Sequence, residues 1–152
     1  ISTEAKLDIV VFGDEAWQIR ISDIPYLEVG PYHTNTVAGL NLAISLLNKS
    51  KSPNKHIMMI TDGKPSCIKR GKEYYKNAFG LDPYIINRTL ALARKCRKSG
   101  IAVTTFMVST DPYLIEFIEQ FSKEAKGKSF YTGLEKLGDE IFSQYNKRKN
   151  KF

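Results

Sequence analysis

Two apolar patterns alternate along the 152 residues of this chain: short continuous runs, and stripes at three- and four-residue spacing. Leu7-Asp8-Ile9-Val10-Val11-Phe12 is the first run and predicts a buried strand. Gly13-Asp14-Glu15 turns the chain into Trp17-Gln18-Ile19-Arg20-Ile21, whose alternation predicts a half-exposed edge strand in a hairpin with the first. Ser22 to His33 reads as a loop broken by Pro25, Gly30 and Pro31. Val37, Leu40, Ile44 and Leu47 form one stripe, so a helix is expected from about Asn35 to Leu47. After Ser52-Pro53-Asn54, the run Ile57 to Ile60 predicts a strand, and Lys64 to Leu81 reads as a long polar loop rich in Lys and Tyr.

The second half repeats the alternation with stronger punctuation. Asp82-Pro83 and Asp111-Pro112 each open a helix, with Asp as the cap and Pro in the first turn. The first helix has Ile86, Leu90 and Ala93 on its stripe and stops at Gly100; the second has Leu114, Ile118 and Phe121 and stops at Gly127. Ile101 to Val108 between them is a buried strand, and Ser129-Phe130-Tyr131 a short one. A last helix follows Thr132, with Leu134, Leu137, Ile141 and Tyr145 on one side, and Lys147 to Lys151 form a frayed basic tail. Apolar strands alternating with helices predict an α/β fold, a mainly parallel sheet covered on both faces. Without internal repeat or linker, residues 1–147 read as one domain and 148–152 as a tail.

Composition narrows the class only slightly. A hydrophobic content of 42% suffices for a core and argues against disorder. The net charge of +7 permits acidic partners but speaks of solubility more than of function. No apolar run reaches membrane-span length and no secretory signal opens the chain, although it begins with Ile1 rather than Met. Cys67 and Cys96 read as two reduced thiols of a cytoplasmic protein rather than a disulfide.

Candidate chemistry gathers at two places. The run Ile57-Met58-Met59-Ile60 ends in Thr61-Asp62-Gly63, which delivers a carboxylate to the carboxyl edge of a sheet. Thr34 and Thr36 put hydroxyls just before a helix. A hydroxyl and a carboxylate at one sheet mouth suit a hard cation such as magnesium. Asp62 as a mere loop cap and Thr36 as an ordinary first-turn residue are the competing readings. Lys64 and Ser66 flank the position. His33 has no Ser or Cys nucleophile motif around it, and Asp14-Glu15 reads as a solvated turn. Arg94, Lys95, Arg97 and Lys98 read as a solvated helix face, since no nucleic-acid motif accompanies them. Tyr74, Tyr75 and Phe79 read equally as a partner surface or a self-packed loop.

In their order, these segments resemble a von Willebrand factor A-type (VWA) domain over about residues 5 to 147. Leu7 to Phe12 with Gly13-Asp14-Glu15-Ala16 resembles its second strand and turn, Thr34 with Ala38-Gly39-Leu40 its threonine loop and helix, and Ile60-Thr61-Asp62-Gly63 its aspartate motif. The final third is similar to bacterial intracellular members related to the magnesium-chelatase D-type subunit, through Gly100-Ile101-Ala102-Val103, Phe106-Met107, Tyr113-Leu114, Phe117-Ile118-Glu119, Phe130-Tyr131 and Leu137-Gly138. The resemblance implies a Rossmann-like, doubly wound fold. It also implies a metal ion-dependent adhesion site in which Thr34 and Asp62 are ligands to Mg2+ and Gly63, Lys64 and Ser66 are neighbouring binding residues. That site takes its remaining ligands from an Asp-x-Ser-x-Ser loop, and no Asp here is followed two places later by Ser.

The family's first strand and first helix also lack a counterpart, so the chain is expected to be a fragment or processed product that binds magnesium weakly or not at all. That strand lies between the second and fourth strands of the fold. The edges of Leu7–Phe12 and Ile57–Ile60 are therefore expected to be covered by a second copy in a homodimer, by a swapped segment, or by pairing with each other. The expected function is a non-enzymatic protein–protein interaction module working beside a AAA-type ATPase. The alternative is a metal-assisted hydrolase or phosphotransferase using Asp62, which needs a base or nucleophile that the sequence does not display.

Overall fold

The computed structural model describes residues 5–28, 30 and 32–150; Pro31 and Lys151, named above, lie outside them. Strands β1 (Ile9–Phe12) and β2 (Ala16–Ile19) form an antiparallel hairpin with Phe12 opposite Ala16. The expected edge strand stops at Ile19. Asp23 bonds the amide and guanidinium of Arg20 and starts a 3₁₀ turn, Ile21–Tyr26, inside the segment expected to be loop. Helix α1 (Thr36–Lys49) follows, with the Asn35 side chain accepting from the Ala38 amide. Gly39 lets α1 approach β1: a Cβ there would lie 2.9 Å from the Phe12 ring.

Strand β3 (Lys55–Thr61) is followed by a correction to the sequence reading. Within the supposed loop, β4 (Cys67–Arg70) and β5 (Glu73–Lys76) form a second antiparallel hairpin. Arg70 pairs with Glu73, so Gly71-Lys72 is a two-residue connection, and Gly71 at its first position has φ +65°. That is the backbone such tight hairpins require of a glycine.

Helix α2 (Pro83–Lys98), strand β6 (Ile101–Met107), helix α3 (Pro112–Ala125), strand β7 (Lys128–Tyr131), a 3₁₀ turn (Leu134–Lys136) and helix α4 (Leu137–Lys149) complete the chain. Asp82 and Asp111 cap α2 and α3 as their Asp-Pro pairs predict. β3, β6 and β7 form a parallel sheet in that order, with Thr61 beside Met107 and Phe106 beside Phe130. The result is an α/β structure, a parallel sheet flanked by helices in the Rossmann-like manner of VWA domains.

The core lies between this sheet and α1 to α3. It includes Leu40, Ile44, Ile57, Met59, Ile86, Val103, Leu114, Phe117, Ile118 and Phe121. On the strands' other side, His56 is bonded to Thr104 (2.9 Å) beside Gln144 and Arg148 of α4. Among the described residues β1 does not pair with β3: the hairpin β1–β2 is a sheet of its own. Direct pairing of those two edges, one of three expected ways to cover them, is therefore not adopted. Cys67 and Cys96 are both free and buried, and burial pushes both thiols up from their ordinary pKa. Among the described residues no helix is long and apolar enough to cross a membrane.

Candidate functional site at the carboxyl end of the sheet

β3 delivers its last residues to the end of the sheet where the loops leave. There the turn is closed by Thr61, not Asp62. The Thr61 hydroxyl donates to the Gly63 carbonyl (2.8 Å) and accepts from the Gly63 amide (3.3 Å). The Asp62 side chain is exposed, and no hydrogen bond or ion pair holds its carboxylate among the described residues. The loop-cap reading of Asp62 is thus taken over by its neighbour, an ordinary role for a hydroxyl at a turn.

Thr34 reaches the same place from the other side. Its amide donates to the Ser66 hydroxyl (3.1 Å), and its carbonyl accepts from the amides of Ser66 (2.9 Å) and Cys67 (3.3 Å). A Cβ on Gly63 would lie 3.4 Å from the Thr34 hydroxyl oxygen, so the bare glycine leaves room beside that hydroxyl. Thr34, Gly63 and Ser66 are therefore brought together, with Asp62 next in the chain. Ser66 positions Thr34 through its backbone. Lys64 turns elsewhere: its ammonium donates to the Ala78 carbonyl (2.8 Å) and lies 4.9 Å from the centre of the Tyr113 ring. Thr36 is buried in the first turn of α1, which excludes it as the exposed hydroxyl.

The carboxylates Asp14, Glu15 and Asp82 are each engaged, and Asp14-Glu15 is the turn read from the sequence, with Glu15 exposed. Asp14 accepts from the His33 amide (2.8 Å) and the Lys76 ammonium (3.0 Å), and the Lys76 bond chiefly holds its carboxyl below the usual range. Glu15 accepts a short hydrogen bond from the Tyr74 hydroxyl, whose pKa is pushed up to about 12 chiefly by that bond. Asp82 accepts from Tyr75 (2.7 Å), Asn77 (2.9 Å) and the amides of Tyr84 and Ile85, so its carboxyl is also held low, Tyr75 first. The hairpin supplies Tyr74, Tyr75 and Lys76, and so ties the β1–β2 turn to the start of α2. The signal for it was the glycine between Cys67-Ile68-Lys69-Arg70 and Glu73-Tyr74-Tyr75.

A hydroxyl and a free carboxylate are the right kind of donors for a hard cation. They are too few for a tight site, since magnesium takes about six oxygens. Among the described residues no group of three or more His, Cys, Asp and Glu side chains is arranged to hold a metal.

The family description "Rv0959-like protein, vWA domain" matches residues 2–146. The chain is 26% identical over 145 residues to the uncharacterized proteins Rv0959 of Mycobacterium tuberculosis and Mb0984 of Mycobacterium bovis. The match takes in 91% of this chain but only 21% of either relative, so the chain spans about a fifth of their length. Among solved structures it is similar to the conserved hypothetical protein BatB from Bacteroides thetaiotaomicron. The TM-score is 0.64 at 14% identity, over 95% of this chain and 79% of that one, a likeness of fold alone.

Proposed function

The chain belongs to the Rv0959-like vWA-domain family, and on that premise we propose that it is a protein-contact module whose binding face is the carboxyl end of the parallel sheet. The observation that carries this reading is the contrast among carboxylates. Asp14, Glu15 and Asp82 are bonded, while Asp62 stands free at the strand end with the Thr34 hydroxyl near its neighbouring glycine. An unbonded carboxylate contributes nothing evident to the fold, so its place at the ligand face of a parallel sheet favours a binding role.

In this reading Thr34 and Asp62 hold magnesium, with further oxygens from water, from a segment outside this chain and from a partner's acidic side chain. The metal supplies a positive charge for that side chain to meet. Phe79, 90% exposed, and Tyr113, 49% exposed, border the face and offer apolar contact. The partner suggested by the resemblance to the chelatase D-type subunit is a AAA-type ATPase, engaged by the longer protein of which such a domain is part. Catalysis is not favoured by any group beside Asp62. The sulfhydryl of Cys67 is buried with its pKa raised, the opposite of an activated nucleophile.

Calorimetry with Mg2+ and capture of partners with the longer protein test this. We expect weak magnesium uptake by this chain, abolished in Asp62→Ala, and partner capture that is lost on chelation. Tight uptake unaffected by Asp62→Ala would remove the metal reading. Turnover of a phosphoester that depends on Asp62 would replace the contact module with an enzyme.

A further inference from the structure

We infer that the cleft between the β4–β5 hairpin and helices α1 and α2 docks an extended acidic peptide. The cleft has a volume of about 490 Å³ and is lined by Ile68, Lys69, Arg70, Asn41, Tyr84 and Arg88, together with the first turn of α1. Among the described residues no carboxylate lines it.

Arg70 and Arg88 each place their guanidinium 5.5 Å from the centre of the Tyr84 ring, and Arg70 also lies 5.8 Å from that of Tyr75. Neither makes a hydrogen bond or ion pair among the described residues. Other cations of this chain do find such partners: Arg94 with Glu124, Arg20 with Asp23, Lys76 with Asp14, Lys64 with a carbonyl. A guanidinium resting on an aromatic ring is oriented by it, while its fork of N–H donors stays free for a carboxylate. The start of α1 adds its dipole's positive end to the same wall.

The backbone argues for a peptide rather than a free phosphate or a nucleic acid. β4 pairs with β5 on one side only. Toward its other side the amides of Ser66 and Cys67 go to the Thr34 carbonyl. Of the β4 residues lining the cleft, Lys69 points its N–H and C=O away from β5, and neither makes a backbone bond on that side among the described residues. An added strand takes up such an edge with its own N–H and C=O groups, while alternate side chains reach the flanking cations. The inference rests on the protein-contact reading for the class of partner but uses neither Thr34 nor Asp62, so it is tested with metal removed.

The probe is a fluorescein-labelled peptide of alternating Glu and Val, followed by anisotropy at low salt in EDTA. The double variant Arg70→Glu/Arg88→Glu is expected to weaken binding about tenfold or more. The same change of charge at Arg97→Glu/Lys98→Glu, exposed on α2 away from the cleft, is expected to cost no more than about twofold. Arg70→Gln/Arg88→Gln gives the milder form should charge reversal disturb folding, with an expected loss of about fivefold. The same Glu-Val peptide N-methylated at every backbone nitrogen has the same charge and no N–H to donate, and is expected to bind at least about fivefold more weakly. Asp62→Ala is expected to change nothing in EDTA, which separates this cleft from the metal face. Equal weakening by the cleft and control reversals, or equal affinity for the N-methylated peptide or for pyrophosphate, overturns the proposal.

Discussion

Between β6 and α3 this molecule is packed mainly with apolar side chains, around the buried hydroxyls of Thr105 and Ser122, whereas at the carboxyl ends of its strands it is held by carboxylates. Phe117 and Phe121 are almost wholly buried and pack at 5.6 Å between ring centres. At the loop end, Asp14, Glu15 and Asp82 gather tyrosine, lysine, asparagine and backbone donors from segments far apart in the chain. The first region draws its stability from area removed from water, with little demand on direction. The second depends on direction, because each carboxylate is stabilised by specific donors. Asp62 belongs to the second region by position but to neither by energetics. Four measurements break or sharpen that contrast.

The largest expected effect is in the apolar region. Phe117→Ala removes a side chain that is 1% exposed and is expected to lower unfolding free energy by about 4 kcal/mol in a denaturant titration. A loss near 1 kcal/mol would mean that the core collapses around the gap and packs less tightly than its burial implies.

Next comes acid. Burial, helped by the nearby Arg148, lowers the His56 pKa from 6.5 to about 4. The imidazole is neutral in the fold, and the unfolded chain takes up the proton first. The stability it allows is therefore complete above the unfolded pKa of 6.5 and is lost as pH falls toward about 4. The loss is at most about 3 kcal/mol. His56→Gln is expected to flatten the slope of stability against pH in that window. An unchanged slope would assign it to other groups. Asp14 and Asp82, whose carboxyls are held low, add a loss of the same sign at more acidic pH, below the ordinary carboxylate value of 3.8.

The two capping aspartates separate local from tertiary work. Among the described residues the Asp111 carboxylate accepts only from the amides of Tyr113 and Leu114, and Asp111→Ala is expected to cost about 1 kcal/mol. Asp82 adds bonds from Tyr75 and Asn77, and Asp82→Ala is expected to cost about 2 kcal/mol or more, with the hairpin loosened. Equal losses in thermal and denaturant melts would show that the hairpin contributes no stability through Asp82.

The smallest effect is expected where the functional reading is strongest. Asp62→Ala is expected to stay within about 0.5 kcal/mol of the parent, as for an exposed side chain without partners. A loss above about 1 kcal/mol would make Asp62 a structural residue and weaken its assignment to ligand binding.

Much of the fold was legible because the punctuation is local. Asp82-Pro83 and Asp111-Pro112 start their helices where the sequence places them, since an Asp side chain and a Pro ring act within one turn. The parallel strands β3 and β6 contain the apolar runs read from the sequence, β3 beginning two residues earlier and β6 ending one residue earlier. The Val108 amide is drawn off to the Thr61 carbonyl. The hairpin Cys67–Lys76 was not read, because its polar, lysine-rich surface hid two short strands whose one marker is Gly71.

By itself the sequence determined the α/β alternation, the starts of the two Asp-Pro helices, the apolar core and the placing of Thr34 and Asp62 near strand and helix ends, while the last helix, expected from Thr132, starts at Leu137 after a 3₁₀ turn. Those features follow from periodicity and from side-chain chemistry acting over a few residues. Only the tertiary structure decided which carboxylates at the loop end are bonded and that Asp62 is not. It paired Lys76 with Asp14 and Tyr74 with Glu15 across 62 and 59 residues, set Arg70 and Arg88 on one tyrosine ring, and left Asp62 without a partner. A hydrogen bond between distant segments depends on where the backbone brings its donors, and no local pattern encodes that distance.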